Sequence, residues 1–141
     1  SGNAMAQTYD VVQLNANKRL MRAGNASVAV PQSGNTTLLE IPVESFEQIL
    51  VEAAVSGKLL DAFTVQVKSH PDGSYLTIAS AAGDYTSPTG LMVKASGDIT
   101  TQAAGTSGWF ILDTRGVAWV KVVASSGDAA GSTVSAYAGG M

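Results

Sequence analysis

Cysteine is absent from this chain of 141 residues, which removes disulfides, thiolate nucleophiles and cysteine-ligated zinc and leaves no mark of an oxidising compartment. Charge is scarce. Only 13% of the residues are Asp, Glu, Lys or Arg, and they sum to a formal net charge of -3. A nucleic-acid binder draws affinity from basic groups that displace phosphate counterions, so direct nucleic-acid binding is not expected. Apolar runs such as Ile49 to Val51 or Val117 to Val120 fall far short of the ~18 residues of a membrane span, so no membrane association is expected either. Metal and phosphate motifs are missing: there is no His-x-x-x-His, no Asp-x-Asp-x-Asp-Gly loop and no Gly-x-Gly-x-x-Gly, and Gly57-Lys58 stands without the rest of a P-loop. No cofactor is expected.

Hydrophobic residues make up 45% of the chain, much of it Ala and Val, beside 15 glycines and many Ser and Thr. That composition suits one lightly charged β domain, and the length fits the ~100–150 residues of a single core. Ser1 to Ala4 reads as a protease-cleavage scar ahead of Met5, residues 5–24 as an N-terminal arm or first strand, and residues 25–141 as one β-sandwich domain.

Short alternating segments recur between Gly, Ser, Asn, Asp and Pro clusters, the rhythm of a sandwich. Leu39, Ile41 and Val43 alternate with Leu38, Glu40 and Pro42, and Pro42, lacking an N–H, puts this strand at an edge or a bend. Phe63, Val65 and Val67 alternate with Ala62, Thr64, Gln66 and Lys68. Leu76 with Ile78, and Leu91 with Val93, repeat the pattern briefly. Trp109 to Leu112 is apolar on both faces and should be covered on both sides or lie centrally. Asp113-Thr-Arg-Gly116 reads as a turn with glycine at a positive φ, returning the chain as a hairpin through Val117 to Ala124, with Val120, Val122 and Ala124 inward and Trp119 and Lys121 outward. Residues 125–131 form a loop before a last strand, Thr133 to Ala138.

Residues 46–55 read two ways. Ser45-Phe-Glu-Gln48 fits a capping box, with Phe46, Ile49, Leu50, Ala53 and Ala54 at helical spacing. Ile49, Val51, Ala53 and Val55 also share one strand face. The strand is preferred for Gln48 to Val55, joined through Ser56-Gly-Lys58 as a hairpin to the Phe63 strand.

His70 is the one candidate general base, inside Val67-Lys-Ser-His-Pro-Asp-Gly-Ser-Tyr75. A Ser-His-Asp triad gathers its members in space, and no Gly-x-Ser-x-Gly elbow is present. Pro71 and Asp72 suit the central positions of a turn, and Gly73 suits a left-handed residue closing it. The stretch reads as a bend and the protein as a non-enzyme. Asp98, Asp113 and Asp128 read as turn residues, and Glu40, Glu44, Glu47 and Glu52 as surface acids. Lys18, Arg19 and Arg22 make the N-terminal segment basic ahead of that acidic stretch, so two solvated surfaces compete with an arm that reaches an acidic patch on a neighbouring copy or a shell protein. Trp109, Trp119, Tyr75, Tyr85 and Tyr137 could form a sugar-stacking platform or be buried, with Trp119 the one expected to be exposed.

Leu60-Asp-Ala-Phe-Thr-Val-Gln-Val67, Tyr75-Leu-Thr-Ile-Ala-Ser80 followed by Gly83-Asp-Tyr-Thr86, and Gly108-Trp-Phe-Ile-Leu-Asp113 carry a resemblance over about residues 48 to 138. The chain resembles the small jelly-roll cement or decoration proteins of tailed bacteriophages, above all those of short-tailed phages. The resemblance implies an all-β, antiparallel two-sheet sandwich of jelly-roll type with about eight strands and little or no helix. It implies a mechanical role on the capsid surface of the virion after synthesis in the host bacterial cytoplasm. The partners would be the major capsid protein and a second copy of the chain in a homodimer or other homo-oligomer. Tyr9, Lys18, Arg19, Arg22 and Trp119 are the expected partner-binding residues. A head–tail or tail component and a carbohydrate-binding module are the alternatives.

Overall fold

The structure is a computed structural model that describes residues 7–101 and 106–141. The scar and Met5 lie outside them. Ten strands and one short helix follow in the order β1 (Thr8–Asn15), β2 (Lys18–Val30), β3 (Thr36–Pro42), β4 (Gln48–Gly57), β5 (Leu60–Lys68), β6 (Leu76–Ala79), α1 (Ala82–Thr86), β7 (Met92–Ala95), β8 (Thr106–Asp113), β9 (Trp119–Ser126) and β10 (Ser132–Gly140). They form a six-stranded sheet, β1-β2-β10-β4-β8-β7, and a four-stranded sheet, β3-β9-β5-β6, with every ladder antiparallel. Without the outermost strands β1 and β7, the order β2-β10-β4-β8 over β3-β9-β5-β6 is that of a jelly roll, the expected architecture with two added edges.

Period-two patterning drives the core. Along β4 the inward Ile49, Val51, Ala53 and Val55 are buried while Gln48, Leu50, Glu52 and Ala54 are exposed. Phe63, Val65 and Val67 on β5 and Val120, Val122 and Ala124 on β9 meet them from the other sheet. At the centre, Phe63, Tyr85 and Phe110 pack with ring centroids 6.1 to 6.4 Å apart, two of the pairs edge to face. Tyr85 comes from α1 and is fully buried, donating its hydroxyl to the Phe63 carbonyl, so it belongs to the core rather than to any platform.

Residues 48–55 are a strand, and the reason lies at Ser45, whose φ of 77° is left-handed where an N-cap residue needs an extended backbone. The two hairpins expected from turn residues do not form. β4 and β5 lie in different sheets, as do β8 and β9, because the connections cross the sandwich. Ser132 Oγ donates to the Lys58 carbonyl in the first crossover. In the second, the Thr114 hydroxyl and amide bond the Phe46 and Glu47 carbonyls at 2.7 and 2.9 Å, and Ala118 N–H reaches Lys68 of the opposite sheet. Gly116 does take the positive φ, and Arg115 folds back on Asp113, whose carboxyl it holds at about 2.

Smaller expectations also shift. Leu38 is buried with Leu39, because a β-bulge between Thr37 and Leu39 admits an extra residue. Met92 and Ala79 are buried while Val93 and Leu76 are 56% and 63% exposed, because a register shift in each ladder breaks the alternation; Ile78 and Leu91 still pack partly against the core. β8 lies between β4 and β7, yet its Trp109 and Ile111 are half-buried on an outer face rather than covered. Residues 8–15 and 18–30 form a hairpin whose second strand pairs with β10, so the described part of the N-terminal segment takes the strand alternative, and residues 24 and 25 both fall inside β2.

Candidate functional site

The corner around His70 is the turn that joins β5 to β6, strands paired with Val67 opposite Leu76. Gly73 N–H donates to the His70 carbonyl, and Asp72 N–H donates to His70 Nδ1 at 3.0 Å. Gly73 itself does not take the left-handed conformation; only the Pro-Asp bend is needed. His70 and Asp72 are exposed; the His70 ring accepts from the bend's own backbone, and the Asp72 carboxylate stands 3.9 Å from that ring. Among the described residues no group of three His, Asp or Glu side chains is placed to hold a metal ion, and no helix is long and apolar enough to cross a membrane.

The five expected partner residues are scattered. Tyr9 points into the sandwich and donates to the Pro42 carbonyl on β3 at 2.8 Å. Lys18 and Arg19 sit at the β1–β2 turn beside Ser45 and Glu47 of the same chain, with the Arg19 guanidinium 5.4 Å from the Phe46 ring centroid. Arg22 lies on the outer face of the six-stranded sheet, opposite Asp10. Trp119 lies on the far side of the molecule, half-buried between Pro42 and Lys68 on the outer face of the four-stranded sheet. There Lys68 Nζ stands 4.9 Å from the Tyr75 ring centroid and 5.9 Å from that of Trp119, while the Tyr75 hydroxyl donates to Glu40 at 2.9 Å. Burial first, and then that hydrogen bond, pushes the Tyr75 phenol well up. This face satisfies its own polar groups.

The outer face of the six-stranded sheet is different. Directly opposed residues share a face, so one row runs Asp10, Arg22, Gly139, Leu50, Ile111, Lys94, and the next runs Thr8, Gly24, Tyr137, Glu52, Trp109. Leu50 and Tyr137 are 47% and 43% exposed. The Tyr137 ring lies on Gly24, where a Cβ would come within 2.7 Å of it. Gly139 leaves a gap between Leu20 and Arg22 on one side and Leu50 on the other, a groove of about 480 Å³ closed at one end by Met141. Apolar walls, a backbone floor and a rim of Arg22, Asp10 and Lys94 are the parts of a protein-binding surface.

Edges separate the sheets further. In β3 the edge groups are capped by side chains from the other sheet: the Gln7 amide bonds both the N–H and the carbonyl of Glu40 at 2.8 and 3.1 Å, buried Asn25 donates to the Leu38 carbonyl at 2.9 Å, and Tyr9 takes Pro42. β6 and β7 are four residues each, both with a register shift in their ladders. β1 runs for eight residues and, among the described residues, pairs only with β2.

Neither Gly139, Leu50 nor the Gln7–Asn25–Tyr9 set stands out in the sequence. Gly139-Gly140 reads as tail punctuation, and only the register across four strands reveals it as the floor of a groove.

No family model matches the chain, and no curated protein matches it. The chain is similar to several solved structures. One is the SPBc2 prophage-derived protein YomS, with a TM-score of 0.47 and 15% identity over 85% of this chain and 94% of that one. Another is the K2 cleaved adhesin domain of Lys-gingipain, with a TM-score of 0.41 and 9% identity over 96% of this chain and 70% of that one.

Proposed function

We propose that the protein is a bacteriophage capsid cement or decoration protein, acting by adhesion: it seats the outer face of its six-stranded sheet on the outer surface of the shell and links neighbouring capsomers. The observation that carries the reading is the apolar groove floored by Gly139 and walled by Leu20 and Leu50, beside Tyr137 and Trp109. Burying such a face removes apolar and aromatic area from water on a sheet already rigid enough to need no ordering. The phage setting rests on the sequence resemblance, and the partners are the major capsid protein and a second copy of the chain. A cement raises shell stability by mass action, because disrupting the shell must also break the bound contacts.

Electron microscopy of virions assembled with the protein tests this by counting copies. Hundreds on the shell support it, about a dozen at one vertex would move the protein to a head–tail role, and none sinks both. The matching variant is Gly139→Val. Its Cβ meets nothing closer than 3.9 Å, and the strand backbone there suits a β-branched residue, so the fold holds while the groove fills and shell occupancy drops. A second reading has its own observation: Trp109 and Tyr137 flank Glu52 on one face, about 10 Å apart at two strand spacings, as a sugar-stacking platform would. Glycan-array binding that disappears in both Trp109→Ala and Tyr137→Ala would favour the carbohydrate-binding module.

A further inference from the structure

We infer that β1 is a self-pairing edge: two copies of the chain join antiparallel through β1, about a two-fold axis normal to the sheet, and continue the six-stranded sheet across the interface. Exposed strand edges present unpaired N–H and carbonyl groups, and folded proteins blunt them with proline, bulges, lysine, short length or capping side chains. Three of the four edges here carry such devices. β3 has Pro42, a bulge and the caps from Gln7, Tyr9 and Asn25; β6 and β7 are four residues long, with a register shift beside each and Lys94 on β7.

β1, Thr-Tyr-Asp-Val-Val-Gln-Leu-Asn, has no proline and no lysine, and its ladder to β2 is regular from Thr8 to Gln13, its one register shift falling between Gln13 and Asn15 at the turn end. Its single charge, Asp10, is off centre. An antiparallel pairing centred on Val11 sets Asp10 against Val12 of the second copy, and one centred on Val12 sets it against Leu14, so neither brings like charges together. A two-fold axis normal to the sheet keeps inner faces inner and outer faces outer, as such an isologous contact requires. This commits the edge to a second copy rather than a foreign strand, because a second β1 meets the single carboxylate of Asp10 with an apolar residue in either register along a strand of eight residues. The same axis puts both Gly139 grooves on one side of the dimer. The inference does not depend on what those grooves bind.

The absence of cysteine supplies the test. Val11→Cys and Val12→Cys each place one thiol near the proposed axis, where directly opposed Cβ atoms stand about 4.5–5.5 Å apart, within reach of a disulfide after small adjustment. Val93→Cys on β7 is the exposed-edge control. Light scattering of the unmodified protein should give twice 14.4 kDa. Mild oxidation should cross-link the Val11 or Val12 variant and leave the Val93 variant uncross-linked, while Val12→Lys should return the mass to that of one chain without changing its circular dichroism. A one-chain mass at every concentration, or cross-linking of Val93→Cys equal to that of both β1 variants, would overturn the inference. A β1 thiol that cross-links only to capsid protein would reassign the edge to a foreign strand.

Discussion

β3 and β1 are neighbouring edges at one corner of the sandwich, and they handle the same physical problem in opposite ways. β3 presents backbone groups at Leu38, Glu40 and Pro42, and each is met by a side chain from the segment that runs from Gln7 through β2. β1 provides one of those side chains, Tyr9, with Gln7 just ahead of it and Asn25 on β2, and has no such cover of its own among the described residues. A capped edge contributes to the fold of one chain. An uncapped one of similar length leaves hydrogen bonds to be made between chains, which is what an assembling protein requires.

Breaking the capped edge should cost most at Asn25, the deepest of the three caps. Asn25→Ala strands the Leu38 carbonyl without its donor and should lower unfolding free energy by about 1–3 kcal/mol, read as a fall in the urea midpoint with an unchanged slope. Gln7→Ala removes two hydrogen bonds at a half-buried position where water can replace them, so about 1 kcal/mol is expected from the same measurement. On the uncapped edge, Thr8→Lys gives up only the long 3.4 Å bond from the Thr8 hydroxyl to the Gly24 carbonyl and should leave single-chain stability within about 0.5 kcal/mol. A loss at Thr8 equal to that at Asn25 would erase the distinction between the edges.

Parity was legible in the sequence and pairing was not. β4, β5 and β9 show the alternation expected of them, because eight or more residues of period two leave one face apolar. In β6 and β7 the alternation breaks at a register shift, so Ile78 and Leu91 pack partly inward as the pattern asks while Leu76 and Val93 are exposed, and four residues carry too little pattern to show the shift. The turn chemistry at Gly116 was right about local φ, and the hairpins read at Gly57 and Gly116 were wrong about destination. In a jelly roll most connections between successive strands cross the sandwich, so a glycine that bends the chain does not say which sheet it bends toward. The same limit hid the interaction surface. Trp119 was singled out from its alternation in β9, but Lys68, Tyr75 and Glu40 arrive from other strands to occupy its face, whereas Leu50 and Tyr137 keep theirs open. Edge caps that join residues 33 positions apart leave no local signal at all.

The most selective effect is at Tyr9, where it separates a cap from a mere contact. Tyr9→Phe keeps the ring and removes the donor to Pro42, for about 0.5–1.5 kcal/mol at neutral pH. Burial raises the phenol above its ordinary value, partly opposed by the nearby Arg19 charge. A pKa raised on folding means that the protonated phenol is favoured in the native state, so its contribution is complete below the ordinary phenol value of about 10 and is lost as pH rises through the folded value. The stability difference between the parent and Tyr9→Phe should therefore stay flat from neutral pH to about pH 10 and shrink above it. A difference that persisted unchanged into stronger alkali would mean that Tyr9 acts through ring packing alone, leaving Gln7 and Asn25 as the only caps of the β3 edge.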